Sequence, residues 1–221
     1  MKGKPVITID GPAGAGKSTV SRALARRFCL AYLDTGALYR TVAYAARRSG
    51  VAPEDEAGLA ALCDSLNISL ADKDGELAVF HDGQEVTEHI RSEEISLLAS
   101  QVSAIPAVRA ALLALQRRAG AEGGIVAEGR DMGTVVFPQA DYKFFLGATV
   151  EERARRRYRE LTDRGINVPL DDVRNDIILR DRQDCERAIA PLVADGDAVV
   201  IDSTDRTISE VLEEMLMIIN R

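Results

Sequence analysis

The nine residues GPAGAGKST, positions 11–19, constrain the fold of this chain more than any other stretch of it. They follow the β-branched run VITID and precede a stretch, 17–29, whose apolar side chains recur at three-and-four spacing. Strand, tight loop and helix must therefore follow one another without a gap, which satisfies the Walker A pattern in its required context. Glycines let the backbone wrap closely and point N–H groups inward, and the helix N-terminus adds partial positive charge. Lys17 is placed to reach a transferring phosphate, and Ser18 carries a hydroxyl that can ligate Mg²⁺. Gly11, Pro12, Ala13, Gly14, Ala15, Gly16, Lys17, Ser18 and Thr19 are thus the expected cradle for the phosphates of a nucleoside triphosphate. The competing reading is a glycine-rich turn that only joins strand to helix.

A strand that feeds such a loop belongs to a parallel sheet, and the rest of the chain supplies the other strands. Apolar, β-branched runs at 6–10, 31–34, 124–128, 142–146 and 198–202 read as buried parallel strands. Helical periodicity appears at 17–29, 38–49, 108–119 and 208–219. The pattern predicts a three-layer α/β fold around a five-stranded parallel sheet, built on one main core of the size 221 residues allow. Residues 67–86, NISLADKDGELAVFHDGQEV, break the rhythm with Asp74-Gly75 and Asp82-Gly83, each flanked by strand-like residues. They predict a small antiparallel meander outside the main sheet, either a surface decoration or part of a substrate-binding lobe.

Composition narrows the partners. The formal net charge of −7 repels a nucleic-acid backbone, so bound phosphate must meet a local cluster of cations, and no nucleic-acid partner is expected. Cys29, Cys63 and Cys185 lack metal-ligand spacing and read as reduced thiols; His81 and His89 read as solvent-exposed and carry no metal. No signal-like or membrane-spanning run is present, and a cytoplasmic monomer is the expectation. The sequence lacks the Asn-Lys-x-Asp element of guanine-specific switches and the His-Arg-Asp and Asp-Phe-Gly elements of protein kinases, which leaves a small-molecule acceptor.

Ligands of open α/β sheets bind beyond the carboxyl ends of the strands. The second strand ends in DTGALYR, which places Asp34, Thr35, Tyr39 and Arg40 there, and the third in EGRDMG, which places Glu128, Arg130 and Asp131. An arginine in each loop can grip an anion from two sides; Thr35 can also serve as a helix cap. In the stretch 151–165, EERARRRYRELTDRG, the residues Arg153, Arg156 and Arg157 share one helical face. That face reads either as a solvated surface with Glu152 paired to Arg156 or as a lid over polyphosphate. Arg180, Asp184 and Arg187 form one stripe at i, i+4 and i+7, which read alone is an ion-pair ladder in solvent.

Six blocks in this order, GPAGAGKST, DTGALYR, SQVSAIPAVR, EGRDMGTVVFP, RDRQDCERAIAPL and VVIDST, span nearly the whole chain and resemble bacterial cytidylate kinases of the longer type. The resemblance implies transfer of the γ-phosphate of ATP to CMP and dCMP with Mg²⁺, and a division into core (1–35, 99–149, 168–221), monophosphate-binding lobe (36–98) and lid (150–167). It implies that Arg40 and Arg130 hold the acceptor's phosphate, with Lys17 between donor and acceptor. Tyr39, Arg180, Asp184 and Arg187 would surround the pentose and phosphate, with Glu128 beside them. Ser100, Arg109 and Asp131 would read the cytosine, Thr35 would line that pocket, and Arg153, Arg156 and Arg157 would close over ATP. Two alternatives stay open on the residues alone: a kinase for another small acceptor, and a P-loop ATPase or conformational switch acting on a protein.

Overall fold

The computed structural model describes residues 4–73 and 76–220. In chain order its elements are β1 (Val6–Asp10), α1 (Lys17–Phe28), β2 (Ala31–Asp34), α2 (Thr35–Ser49), α3 (Glu56–Ser65), β3 (Ile68–Lys73), β4 (Glu76–His81), β5 (Gln84–Glu85), α4 (Glu93–Val102), α5 (Pro106–Ala119), β6 (Ile125–Gly129), β7 (Tyr142–Gly147), α6 (Val150–Asp163), α7 (Leu170–Glu186), β8 (Val199–Asp202) and α8 (Ile208–Ile219). The five apolar runs form one parallel sheet in the order β2-β6-β1-β7-β8. The chain divides into two compact units, Met1–Tyr32 with Glu122–Arg221, and Leu33–Ala121.

The first unit is built around β1. Ile7, Thr8 and Ile9 have no exposed surface, as a parallel strand covered on both faces requires. Ile7, Ile9, Val20, Leu24, Val126, Phe144, Leu146, Ile201, Val211 and Met215 form one cluster that joins the sheet to α1 and α8. Each such side chain stabilises the fold by about 1.5–3 kcal/mol through burial. The register puts Asp10 beside Gly129 and Phe145, and Gly147 beside Asp202. The loops that begin at Gly11 and Arg130 therefore leave the sheet at the same level. A smaller cluster of Ala154, Leu161, Val173 and Ile177 packs α6 against α7.

The second unit contains α2 to α5 and a three-stranded antiparallel sheet, β3-β4-β5. Ile68 pairs with His81 and Phe80 with Glu85. Asp82 and Gly83, at φ 51° and 76°, make the tight turn with two positive φ values that the Asp-Gly pair predicts; the pair Asp74-Gly75 lies outside the described residues. Ala78 and Val79 are buried and β4 packs on α2, so the meander belongs to the core of this unit and is more than surface decoration. His89 is exposed as expected, whereas His81 is half-buried beside Asp82.

Several boundaries differ from the sequence expectation for local reasons. The helix expected from 38 begins at Thr35, because the Asp34 carboxylate accepts the Ala37 N–H at 3.0 Å and caps it, a role the sequence reading gave to Thr35. Two helices not anticipated from the sequence, α3 and α4, are started the same way by Asp55 and Ser92. Among the described residues no single helix is long and apolar enough to cross a membrane.

Candidate active site

The phosphate loop is shaped by close packing. Gly11 sits at φ 147°, and a Cβ there would lie 2.0 Å from the Leu146 carbonyl oxygen, so no other residue fits. Gly14 and Gly16 also adopt positive φ, and Gly16 caps α1. The Lys17 ammonium, 7% exposed, donates to the Pro12 carbonyl at 2.7 Å. Burial and the nearby Arg130 lower its pKa to about 7 against the opposing charges of Glu128, Asp10 and Asp184. Ser18 and Thr19 are exposed on the first turn of α1. Among the described residues no group of three or more His, Cys, Asp or Glu side chains is arranged to hold a metal. The exposed Ser18 hydroxyl is an oxygen donor of the kind that fits Mg²⁺ beside nucleotide phosphates and its own waters.

The loop after β6 collects the charged residues of the same unit. Arg130 donates through Nε to Asp184 Oδ2 at 2.6 Å and through Nη1 to the Gly129 carbonyl at 3.3 Å. Asp131, 2% exposed, faces Arg187, whose Nη2 lies 3.6 Å from its Oδ1. Burial alone would raise the Asp184 pKa, but Arg130, Arg187 and Arg180 outweigh it and hold the carboxyl below its ordinary value. Burial would likewise lower Arg130, and Asp184, Glu128 and Asp181 outweigh that and raise it. Glu128, 3% exposed, accepts a hydrogen bond from the Tyr32 hydroxyl. These groups bear on the expected stripe of Arg180, Asp184 and Arg187. Arg187 caps α7 with extended backbone (ψ 138°), and both Asp184 and Arg187 are buried, so a ladder in solvent is not what forms.

The arginine run forms α6, with its three candidates in different settings. Arg153 is 3% exposed; its guanidinium forks onto Asp181 at 2.9 and 2.6 Å and also reaches the Ala148 and Ala13 carbonyls. Arg156 pairs with Glu152 at 2.9 Å, as the solvated reading had it, but also donates to Ser203 and the Ala15 carbonyl. Arg157 pairs with Glu160 at 2.6 Å. Two of the three thus hold the carbonyls of the phosphate loop itself.

The second unit brings together a separate group. Arg40 pairs with Asp34 at 2.9 Å, and Gly36 makes room, since a Cβ there would lie 2.8 Å from Arg40 Nη1. The guanidinium of Arg109, 8% exposed, stands over the Tyr39 ring at 5.8 Å and donates to the Ser103 carbonyl at 3.3 Å. Ser103 in turn donates to the Ser100 carbonyl at 2.7 Å, so Tyr39, Ser100 and Arg109 form one connected cluster. Thr35 is buried on the first turn of α2.

Sequence reading missed the residues that hold these groups in place: Asp10, Tyr32, Asp181, Ser103 and Ser203. Only Asp10 carried a signal, a carboxylate ending a central strand immediately before the phosphate loop.

Comparison with known proteins follows the same lines. The family model for cytidylate kinase matches residues 7–221. A cytidylate kinase of Geobacter sp. (strain M21) is 53% identical over 211 residues, 95% of this chain and 90% of that protein. One from Pasteurella multocida (strain Pm70) is 45% identical over 221 residues, covering 100% and 97% of the two chains. An uncharacterized protein from Eubacterium ventriosum, 11% identical, superposes with a TM-score of 0.55 over 98% of each chain, a likeness of fold alone. A match that runs through the phosphate loop, the Arg130–Asp131 loop and α7 alike settles the kinship: this chain belongs to the cytidylate kinase family.

Proposed function

We propose that this chain transfers the terminal phosphate of ATP to CMP and dCMP in the cytoplasm, giving ADP and the corresponding diphosphate. The observation that supports this most directly is the charged group beside the phosphate loop: Lys17 influenced by Arg130, the half-buried Arg130 against Asp184, and the buried Arg187 side chain against Asp131. A second buried arginine pair is superfluous for a water nucleophile but suits a phosphorylated acceptor.

The acceptor phosphate is already largely ionised near pH 7, since its second pKa is about 6, and needs no dedicated base. The task of the protein is alignment and charge stabilisation. In this reading Arg130 and Arg40 grip the acceptor phosphate. Asp184, Arg187, Arg180 and Tyr39 set the sugar, and Asp131, Arg109 and Ser100 meet the cytosine, with Thr35 lining that pocket and Glu128 steadying Lys17 and Arg130. The phosphate loop and Lys17 hold the donor, Arg156 and Arg157 cover it, and Arg153 steadies the loop from behind. Mg²⁺, when bound through Ser18, neutralises donor oxygens. Closure of a lid at 150–167 would keep water out.

Incubation with MgATP and each of the four ribonucleoside monophosphates in turn tests the proposal. CDP as the main product supports it. Another diphosphate would identify a different acceptor, and ATP hydrolysis without a phosphorylated small product would point to an ATPase.

A further inference from the structure

The residue before a helix-like turn ordinarily caps it with its own side chain. Asp131 occupies that place before the π-type turn Met132–Val136, yet its side chain makes no capping bond and faces Arg187 instead. The first N–H groups of the turn still need acceptors, because its own carbonyls serve later residues: Asp131 O accepts from Val135 and Val136, and Met132 O from Phe137. Asp10, at the end of β1, supplies them. Its Oδ1 accepts the Met132 N–H and its Oδ2 the Gly133 N–H, each at 2.8 Å. The carboxylate is 5% exposed, so the two N–H groups are its main compensation for leaving water.

The seat is tight from the other side as well. A Cβ on Gly133 would meet Lys143 Cδ and Thr8 Oγ1 at 3.3 Å and Asp10 Oδ2 at 3.5 Å. Lys143 is itself held by Asp195 at 3.0 Å and Asp197 at 2.9 Å.

We propose that Asp10 is a positioning residue for the acceptor: it caps the turn in place of Asp131 and so fixes the loop in which Arg130 faces Asp184 and Asp131 faces Arg187. An aspartate is required because only a carboxylate offers two acceptor oxygens to two adjacent N–H groups. Asparagine offers one and turns an N–H against the other. The inference rests on the reading that Arg130 and Asp131 bind the acceptor.

Asp10→Asn tests it. Expected are a fall of about tenfold or more in kcat/KM for CMP, a narrower preference for CMP over UMP, and a Kd for a non-hydrolysable ATP analogue within about twofold of wild type. Gly133→Ala, which keeps Asp10 but places a Cβ 3.3 Å from Lys143 Cδ and Thr8 Oγ1 and 3.5 Å from Asp10 Oδ2, should reproduce this pattern in weaker form and decides the matter if Asp10→Asn does not fold. Unchanged acceptor constants and base preference overturn the proposal, as does a parallel loss of analogue binding, which would place the effect in the phosphate loop. Arg130→Ala and Asp131→Asn run alongside separate the two ideas. If they too leave the acceptor constants unchanged, the acceptor reading falls and the inference with it; if they lower them while Asp10→Asn does not, the positioning role alone falls.

Discussion

Replacing Lys17 by methionine should make the protein more stable while nearly abolishing turnover. The ammonium is 7% exposed, and burial beside Arg130 lowers its pKa from 10.5 to about 7. With those two values, keeping the group in the folded chain costs about 4 kcal/mol at pH 7 by proton linkage. Methionine has similar length, no charge and a favourable transfer into an apolar setting, and it gives up the bond from Lys17 to the Pro12 carbonyl, worth about 1 kcal/mol. The net expectation is a gain of about 3 kcal/mol, or about 6–12 °C in Tm for a chain of this size. The sign of the pH dependence identifies the cause. Between about 7 and 10.5 the unfolded chain holds the lysine proton that the folded chain has released, so wild-type stability rises with pH across that window, while the variant has no such term. The gap between them should therefore be full at or below pH 7 and shrink towards pH 10. Urea unfolding at about pH 7 and about pH 9 measures it, with steady-state turnover falling on the order of a hundredfold or more. A variant no more stable than wild type at neutral pH, or a gap that stays constant with pH, would refute the reasoning.

Asp184→Ala should cost about 3 kcal/mol in urea unfolding by leaving the half-buried Arg130 guanidinium without its carboxylate, and should lower acceptor kcat/KM more than ATP affinity. Because the folded Asp184 carboxyl titrates below its ordinary value of 3.8, the stability it provides is present above that value and is lost as pH falls through the folded pKa; an acid titration of stability should show that loss in wild type and not in the variant. Asp131→Asn should narrow the kcat/KM advantage of CMP over UMP, since a carboxylate pairs with the exocyclic amine of cytosine and repels the carbonyl of uracil, whereas an amide also offers a donor; the ratio for the two acceptors reads it out. Gly11→Ala should lower the unfolding free energy by several kcal/mol or prevent folding, because the new Cβ would meet Leu146 O at 2.0 Å in a strained backbone region, and soluble expression with a thermal melt checks it.

The sheet was legible because each of its strands is a short apolar run and because a phosphate loop admits only a strand before it and a helix after it. The helices that were not read, α3 and α4, are each started by a capping side chain, Asp55 or Ser92, and α4 buries Ile95, Ala99 and Val102 at a helical spacing that the sequence reading passed over. In the candidate site the cations were legible from their place at strand ends, but their partners were not. Asp181 reads as one more charge in an exposed-looking stretch, and only the packing of α6 on α7 brings it onto Arg153, 28 positions away in sequence. Arg187 looked like the third rung of a helical stripe, and the chain instead leaves the helix there and turns it towards Asp131.

Those partners also resolve how an acidic protein can bind polyanions. Arg40, Arg130, Arg153, Arg156, Arg157 and Arg187 each stand against a carboxylate, on Asp34, Asp184, Asp181, Glu152, Glu160 and Asp131 in turn. Unpaired, the buried members of this set would each be strongly destabilising; paired, they hold defined directions without a ligand. A guanidinium has five N–H donors and a carboxylate engages at most two of them in a fork, so pairing with a carboxylate sets the direction of the group without exhausting the donors that a guanidinium carries. The net charge of −7 and the local concentration of cations are then two aspects of one arrangement, in which carboxylates orient arginines. Lys17 differs from them: its ammonium touches a carbonyl, among the described residues no carboxylate pairs with it directly, and its pKa is pushed down to about 7. It is the cation with most to gain from an arriving phosphate, which would supply the negative charge that its surroundings provide only at a distance.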